Sequence, residues 1–246
     1  VYIWDMDETL ILLKSLLDGT YAAAFNGTKD PSKGVEIGKC WENQILRVCD
    51  EYFFYDQIEN YNEPFVTSLR EYDDGRDLSD YDFKSDSVDD LNRRKLSYRH
   101  RLIAHRYAQG LHNVLDQKMI ELWDDLYQKT DSYTDGWLSS AHALLEQQNI
   151  NVLVTSGSLI PSIVKCLLFR LDDVIVYSSW DVGKLQCFSW IKERYRGVRF
   201  CVIGDGMEEC EAAQRMNWPL VKVDFRPHRF PGLTLRTIEN YIEVIY

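Results

Sequence analysis

Four short apolar runs recur through the last hundred residues, most of them followed by about a dozen residues of helical periodicity. This alternation constrains the fold more than any other feature. Asn151-Val152-Leu153-Val154-Thr155 leads into a helical stretch from Leu159 to Leu171. Val174-Ile175-Val176-Tyr177 leads to a second helix, Lys184 to Arg196, with Cys187, Ile191 and Tyr195 on one face. Arg199-Phe200-Cys201-Val202-Ile203 breaks at Gly204-Asp205-Gly206 into a helix from about Glu208 to Met216, and Pro219-Leu220-Val221-Lys222-Val223 is the fourth run. A helical pattern from Leu235 to Ile245 closes the chain. Runs that are apolar on both faces and alternate with helices specify a parallel sheet covered on both sides. Val1-Tyr2-Ile3-Trp4 supplies one more strand of this type. The expected class is therefore α/β, with a Rossmann-like parallel sheet.

The middle of the chain has a different period. From Glu36 to about Gln148 no strand-like run occurs, and apolar residues recur at helical spacing: Ile37, Trp41, Ile45, Val48 and Tyr52; then Leu115, Met119, Leu122 and Leu126; then Trp137, Ala141, Leu144 and Leu145. The expected organisation is an α/β core of residues 1–35 plus 149–246, interrupted after its first strand by an all-helical, cap-like insertion of residues 36–148. Within it, residues 56–90 carry acids at 56, 59, 63, 71, 73, 74, 77, 80, 82, 86, 89 and 90 against bases only at 70, 76 and 84. That stretch reads as a solvated, loop-like excursion. The basic run that follows (Arg93, Arg94, Lys95, Arg99, His100, Arg101, His105, Arg106) reads as a face pairing with the acidic stretch, or as one turned to a substrate or partner.

A formal charge of −11 and a pI near 4.9 argue against nonspecific binding to nucleic acid or to an anionic membrane. No apolar run reaches bilayer length, and no signal peptide is expected within these residues. A chain that opens inside a strand without Met is expected to have lost residues ahead of it, a targeting segment among the possibilities. The six Cys stand singly, several in apolar stretches, and read as reduced thiols of an intracellular protein.

Against this frame the polar residues that end the apolar runs stand out. The first strand emerges into Asp5-Met6-Asp7-Glu8-Thr9, and a carboxylate at the lip of an apolar core is poorly solvated unless a cation or a substrate compensates it. The plainer alternative is a helix cap at Asp7 or Thr9. Thr155 ends the second strand, Lys184 opens a helix after Gly183, and Asp205 sits between two glycines after the strand ending at Ile203. Each has an ordinary reading too: a cap, a surface lysine, a turn. Glu208 and Glu209 can simply favour a helix N-terminus, with Glu209 a weaker candidate for the surroundings of a metal. In a parallel sheet, however, all strand carboxyl ends lie along one edge, where ligands bind, so these distant residues converge. A cysteine-based phosphatase is excluded, because six residues after each Cys stand Leu46, Tyr55, Asp172, Glu193, Met207 and Met216, none of them the Arg that chemistry needs. A Walker loop and a dinucleotide glycine fingerprint are absent as well, and the five His show no zinc spacing with Cys.

The constellation resembles the haloacid dehalogenase superfamily of phosphotransferases. Trp4-Asp5-Met6-Asp7-Glu8-Thr9, Asn151 to Thr155 with Leu159-Ile160-Pro161, Gly183-Lys184 with Cys187-Phe188, and Val202 to Glu209 resemble the Eyes absent family in particular, as does the helical insertion. Met6 in place of the usual Leu, Ser156-Gly157 in place of a Thr-rich stretch, and Cys210 in place of a third Glu point to a divergent branch such as a plant one. The resemblance implies a haloacid dehalogenase type fold and a Mg²⁺-dependent protein tyrosine phosphatase, intracellular in the nucleus or cytoplasm. It implies a phosphotyrosine-containing protein or peptide as substrate and a transcription factor as a further partner. Asp5 would be the nucleophile that forms an aspartyl-phosphate, and Asp7 the acid and base. Thr155 and Lys184 would bind phosphoryl oxygens, and Mg²⁺ would be held by Asp5, Asp205 and the Asp7 carbonyl. A small-molecule or phosphoserine phosphatase, and a transcriptional co-regulator in which catalysis is secondary, are the competing expectations.

Overall fold

The computed structural model describes residues 1–86, 92–147, 149–171 and 174–245. Five strands, β1 (Tyr2–Trp4), β2 (Asn151–Thr155), β3 (Ile175–Ser178), β4 (Cys201–Gly204) and β5 (Leu220–Lys222), form one wholly parallel sheet in the order β3-β2-β1-β4-β5. β1 is central: Tyr2 lies opposite Asn151 and Cys201, and Trp4 opposite Leu153 and Ile203. From β1 the connections build outward through β2 and β3 on one side and through β4 and β5 on the other. The chain thus reverses direction across the sheet at β1, where α/β folds open a crevice at the strand carboxyl ends.

The helices are α1 (Leu13–Leu17), α2 (Thr20–Ala23), α3 (Pro31–Phe53), α4 (Tyr55–Ile58), α5 (Arg93–Gln109), α6 (Gln117–Tyr133), α7 (Trp137–Leu145), α8 (Leu159–Leu168), α9 (Lys184–Arg194), α10 (Met207–Met216) and α11 (Leu235–Ile245). Period-two alternation sends Ile3, Val152, Val154 and Val202 to one face, against Phe188 and Ile191 of α9 and Ala212 and Ala213 of α10. Trp4, Leu153, Val176 and Ile203 go to the other, where they join one continuous cluster with apolar residues of α3, α6, α7 and α8. The long helices start where their caps demand: Asp30 accepts the Ser32 amide ahead of α3, with Pro31 at its first position, and Asp116 accepts the Met119 amide ahead of α6.

The helices of the middle region pack against α1, α8 and the turn after β1. Trp41 packs on Phe169 with ring centroids 4.2 Å apart, and the Trp123 and Trp137 indoles donate to the Leu168 and Thr9 carbonyls at 2.6 and 3.2 Å. In the α3 stripe Ile37, Trp41, Ile45 and Val48 are buried as the periodicity predicts, and Tyr52 is partly buried. In the second stripe Leu115, Met119 and Leu126 are buried as well, but Leu122 is 53% exposed, and the buried face of α6 continues through Trp123 and Tyr127 instead. Met119, Trp123, Leu126 and Tyr127 make an i, i+4, i+7, i+8 face whose indole finds a buried carbonyl acceptor, and Leu122 falls at its margin.

The acidic excursion also departs from expectation. Ile58 and Leu69 are buried, the Pro64 carbonyl accepts the Ser178 amide at 2.8 Å, and Phe65 packs edge-on against Tyr177 and Trp190. So part of this stretch runs beside β3, because its few apolar residues still drive burial. Asp89 and Asp90 lie outside the described residues. The basic run does pair with it: Asp86 meets Lys95 at 2.8 Å and the fully buried Arg99 at 3.1 Å, and Asp73 meets Arg101 at 3.1 Å. All six cysteines are free thiols, with Cys49, Cys166, Cys187 and Cys201 buried and Cys40 exposed. Among the described residues no helix is long and apolar enough to cross a membrane.

Candidate active site

Asp5 continues the line of β1, its amide donating to the Ile203 carbonyl at 2.9 Å. The chain then turns tightly. The Met6 carbonyl accepts from the amides of Thr9, Leu10 and Ile11 at 3.3, 2.9 and 3.1 Å, and Glu8 takes a left-handed conformation with φ of 61°. The next helix, α1, begins only at Leu13 and has Leu12 at its cap, so neither Asp7 nor Thr9 caps it. Instead the Thr9 hydroxyl, fully buried, lies 3.3 Å from Asp5 Oδ2 and 3.3 Å from Asp205 Oδ1, linking two strand ends.

Lys184 is the first residue of α9 and is buried, its backbone delivered by Gly183 at a φ of 79°. Its Nζ donates to Asp5 Oδ1 at 2.6 Å and to Glu209 Oε2 at 2.8 Å. Glu209 in turn accepts the Gly206 amide at the start of α10 through its other oxygen. Two glycines make room for it: a Cβ on Gly204 would sit 2.7 Å from Glu209 Cγ, and one on Gly206 2.9 Å from its Oε1. One oxygen from each of Asp5, Asp205 and Glu209 lies within 4.8 Å of the others, so these three could hold a metal ion.

The electrostatics are unbalanced. Three carboxylates share one lysine in a poorly solvated place. Burial, offset in part by Lys184 and reinforced by Glu209 and Asp205, pushes Asp5 up to about 7. Burial and the neighbouring Glu209 likewise hold Asp205 above its ordinary range. For Glu209 burial acts upward too, but the ammonium of Lys184 and the amide bonds outweigh it and hold it low. Lys184 is held above its usual value because Asp5 and Glu209 outweigh its desolvation. A set of hard oxygen donors with surplus negative charge suits a hard divalent cation.

The other expected residues lie on this edge with different partners. Asp7 is partly exposed and its Oδ1 is 2.8 Å from Lys165 Nζ on α8. Thr155 is buried at the end of β2; its Oγ1 accepts the Gly157 amide at 3.1 Å and its carbonyl accepts from the Ser179 amide and hydroxyl. It does not cap α8, whose cap position is Ser158. Glu208 turns away and accepts from the Ser156 hydroxyl at 2.8 Å.

Three contributors were not given their weight from sequence. Glu209 belongs to the centre of the carboxylate cluster, and the glycines three and five positions ahead of it were the available signal. Thr9 carried only its place at the end of the Asp5-x-Asp7-x-Thr9 run and Lys165 carried none, since a bridge between strand ends and a reach from a neighbouring helix exist only in three dimensions.

No protein-family model matches the chain. It is 57% identical to Protein phosphatase EYA of Arabidopsis thaliana, in an alignment covering all of this chain and 90% of that protein. It is 33% identical to Protein phosphatase EYA2 of Homo sapiens over 91% of this chain and 47% of that protein. With Protein phosphatase eya of Drosophila melanogaster the identity is also 33%, over 91% of this chain and 33% of that protein. The chain therefore spans about half or less of these animal relatives. The five-stranded parallel sheet with its helices is of the haloacid dehalogenase type. With the fold, the strand-end carboxylates and full-length identity in agreement, the chain belongs to the Eyes absent family, to which the plant protein contributes its more similar relative.

Proposed function

We propose that this chain is a Mg²⁺-dependent phosphatase that acts through an aspartyl-phosphate, with phosphotyrosine in proteins as its substrate. One observation carries the reading: Asp5 is buried at the end of the central strand, bonded to Lys184, beside the carboxylates of Asp205 and Glu209. The relatives' names as protein phosphatases support it. In this reading residues 1–35 and 149–246 form the catalytic core, and residues 36–148 limit what reaches it.

Mg²⁺ held by Asp5, Asp205 and the Asp7 carbonyl, with Glu209 close by, would supply positive charge between an anionic nucleophile and a phosphate dianion. An Asp5 oxygen attacks phosphorus in line while the bond to the leaving oxygen breaks. Asp7 gives its proton to that oxygen, then removes one from the water that attacks the aspartyl-phosphate and frees Asp5. Lys165 sets where the Asp7 carboxylate waits between steps. Lys184 offsets phosphoryl charge, and the Thr155 hydroxyl, whose oxygen accepts from Gly157, has its hydrogen left to donate to a phosphoryl oxygen.

The test is phosphate release from phosphotyrosine, phosphoserine and phosphothreonine peptides of one sequence, with Mg²⁺ or chelator, for wild type and Asp5→Asn. Asp5→Asn is expected to lose at least ~10³-fold in rate, as loss of a nucleophile does, and chelation to abolish turnover. Activity that survives either treatment sinks the aspartyl-phosphate mechanism. Equal rates on the three peptides sink the preference for tyrosine.

A further inference from the structure

Trp180 is a large apolar side chain that the fold leaves in solvent. It is 65% exposed, yet it stands only four residues ahead of Lys184 in the β3–α9 loop. Among the described residues it has no aromatic or cationic ring partner. The loop beneath it is held: the Ser179 carbonyl accepts the Gly183 amide at 2.8 Å, and Asp181 accepts from the Asn62 amide group at 2.8 Å. Asn62 also accepts the Leu159 amide at 2.8 Å, which ties the loop after β3 to the start of α8. The indole is therefore presented on a braced turn.

What it borders gives the exposure a purpose. On one side is a cleft of about 360 Å³ lined among others by Ser156, Lys184, Glu208, Glu211 and Arg215 together with Trp180 itself. On the other is a groove of about 820 Å³ between the same loop and the helical region, lined among others by Asn60, Tyr61, Asn62 and Arg93. Trp180 lines both. In the phosphatase reading, a side chain that brings its phosphate toward Lys184 through this cleft carries the group behind that phosphate past the exposed indole that lines it. For phosphotyrosine that group is a flat ring, which an indole can stack; for phosphoserine it is a single methylene, which reaches nothing there.

We propose that Trp180 is a specificity-determining residue that stacks on the aryl ring of the substrate and so favours phosphotyrosine over phosphoserine and phosphothreonine. The inference rests on the phosphatase reading and adds to it the residue that tells aryl from alkyl phosphates. The middle region takes part through Asn62, in the loop after α4, which holds the β3–α9 loop in place, while the indole makes the contact.

The experiment measures kcat/KM on phosphotyrosine and phosphoserine peptides of identical sequence for wild type, Trp180→Ala and Trp180→Phe, with Mg²⁺. A second arm measures the affinity of both peptides for Asp5→Asn with and without the same Trp180 substitutions. The ratio of tyrosine to serine kcat/KM is expected to fall roughly ten-fold in Trp180→Ala and to be largely kept in Trp180→Phe, the order of effect of one aromatic pair. A ratio that does not move overturns the proposal, including the case in which both substrates lose equally. If wild type releases no phosphate in an Asp5-dependent way, the phosphatase reading fails and the binding arm decides this one. Weaker binding of the phosphotyrosine peptide alone in Trp180→Ala then supports it, and unchanged or equally weakened binding overturns it.

Discussion

Two places in this molecule bury a cation against carboxylates, and they are built to opposite ends. In the insertion, Arg99 is fully buried and its donors are met by Asp86, Gln57 and the carbonyls of Lys95 and Phe83. Asp86 also takes Lys95 and the Tyr81 hydroxyl, and these contacts outweigh its desolvation and hold it below the usual carboxylate range. At the strand ends Lys184 faces Asp5, Glu209 and, through Thr9, Asp205, and there burial drives Asp5 up to about 7. The first cluster is saturated, so it fastens the acidic excursion to α5. The second has more negative charge than its lysine answers, so it remains receptive to a cation. A buried charge that is fully met stabilises structure; one that is left short is available for chemistry.

The comparison breaks first at Arg99. Replacing it, Arg99→Met, strips several acceptors of their donor and is expected to lower unfolding free energy by ~3 kcal/mol, as removal of one partner of a buried pair does. Phosphate release per folded molecule should stay within about two-fold, since no site residue touches it. Denaturant melts beside kinetics on the folded fraction check this. Loss of turnover with unchanged stability would mean that the clasp serves the site directly.

A change of one methyl group probes the other cluster. In Gly204→Ala the new Cβ meets Glu209 at 2.7 Å, so the carboxylate has to leave its place beside Lys184. Turnover is expected to fall 10- to 100-fold and half-maximal Mg²⁺ to rise, the scale on which groups that orient metal ligands act. Thermal stability should shift by only a few degrees. An unchanged Mg²⁺ requirement would show Glu209 to be dispensable for the cation.

The smallest effect sharpens the contrast through pH. His100, next to Arg99 on α5, is buried with Nε2 unpartnered and Nδ1 3.3 Å from the Val66 carbonyl. Burial holds it below its ordinary value of 6.5, against the opposing pull of that bond and of Glu63. A depressed histidine contributes stability that is full above the unfolded value near 6.5 and is lost as pH falls below it. Between pH 7.5 and 5.5 wild type should therefore lose more melting temperature than His100→Gln. Parallel losses would show that His100 stays neutral in both states or gains a partner when charged.

Much of this architecture was legible in the chain itself. The five doubly apolar strands, their helices and the placement of Asp5, Asp7, Thr155, Lys184 and Asp205 at strand or loop ends all follow from local pattern, because the side-chain period and the turn residues are local properties. The same is true of the polar clustering on one edge, which parallel topology imposes. Periodicity failed at Leu122, where Trp123 one position on takes the buried face, and composition failed for residues 58–69, where a few apolar contacts pulled an acidic stretch against β3.

The sequence by itself determined the kind of sheet, the order of the polar strand ends and the membership in a phosphatase-named family. The tertiary structure alone decided that Glu209 rather than Glu208 faces Lys184, that Thr9 joins Asp5 to Asp205, that Lys165 meets Asp7, and that Trp180 is left standing beside the cleft. The reason is range. Strand and helix arise from neighbours along the chain, whereas the charge balance of a site depends on groups about 200 residues apart meeting within a few ångströms, as Thr9 and Asp205 do at a separation of 196.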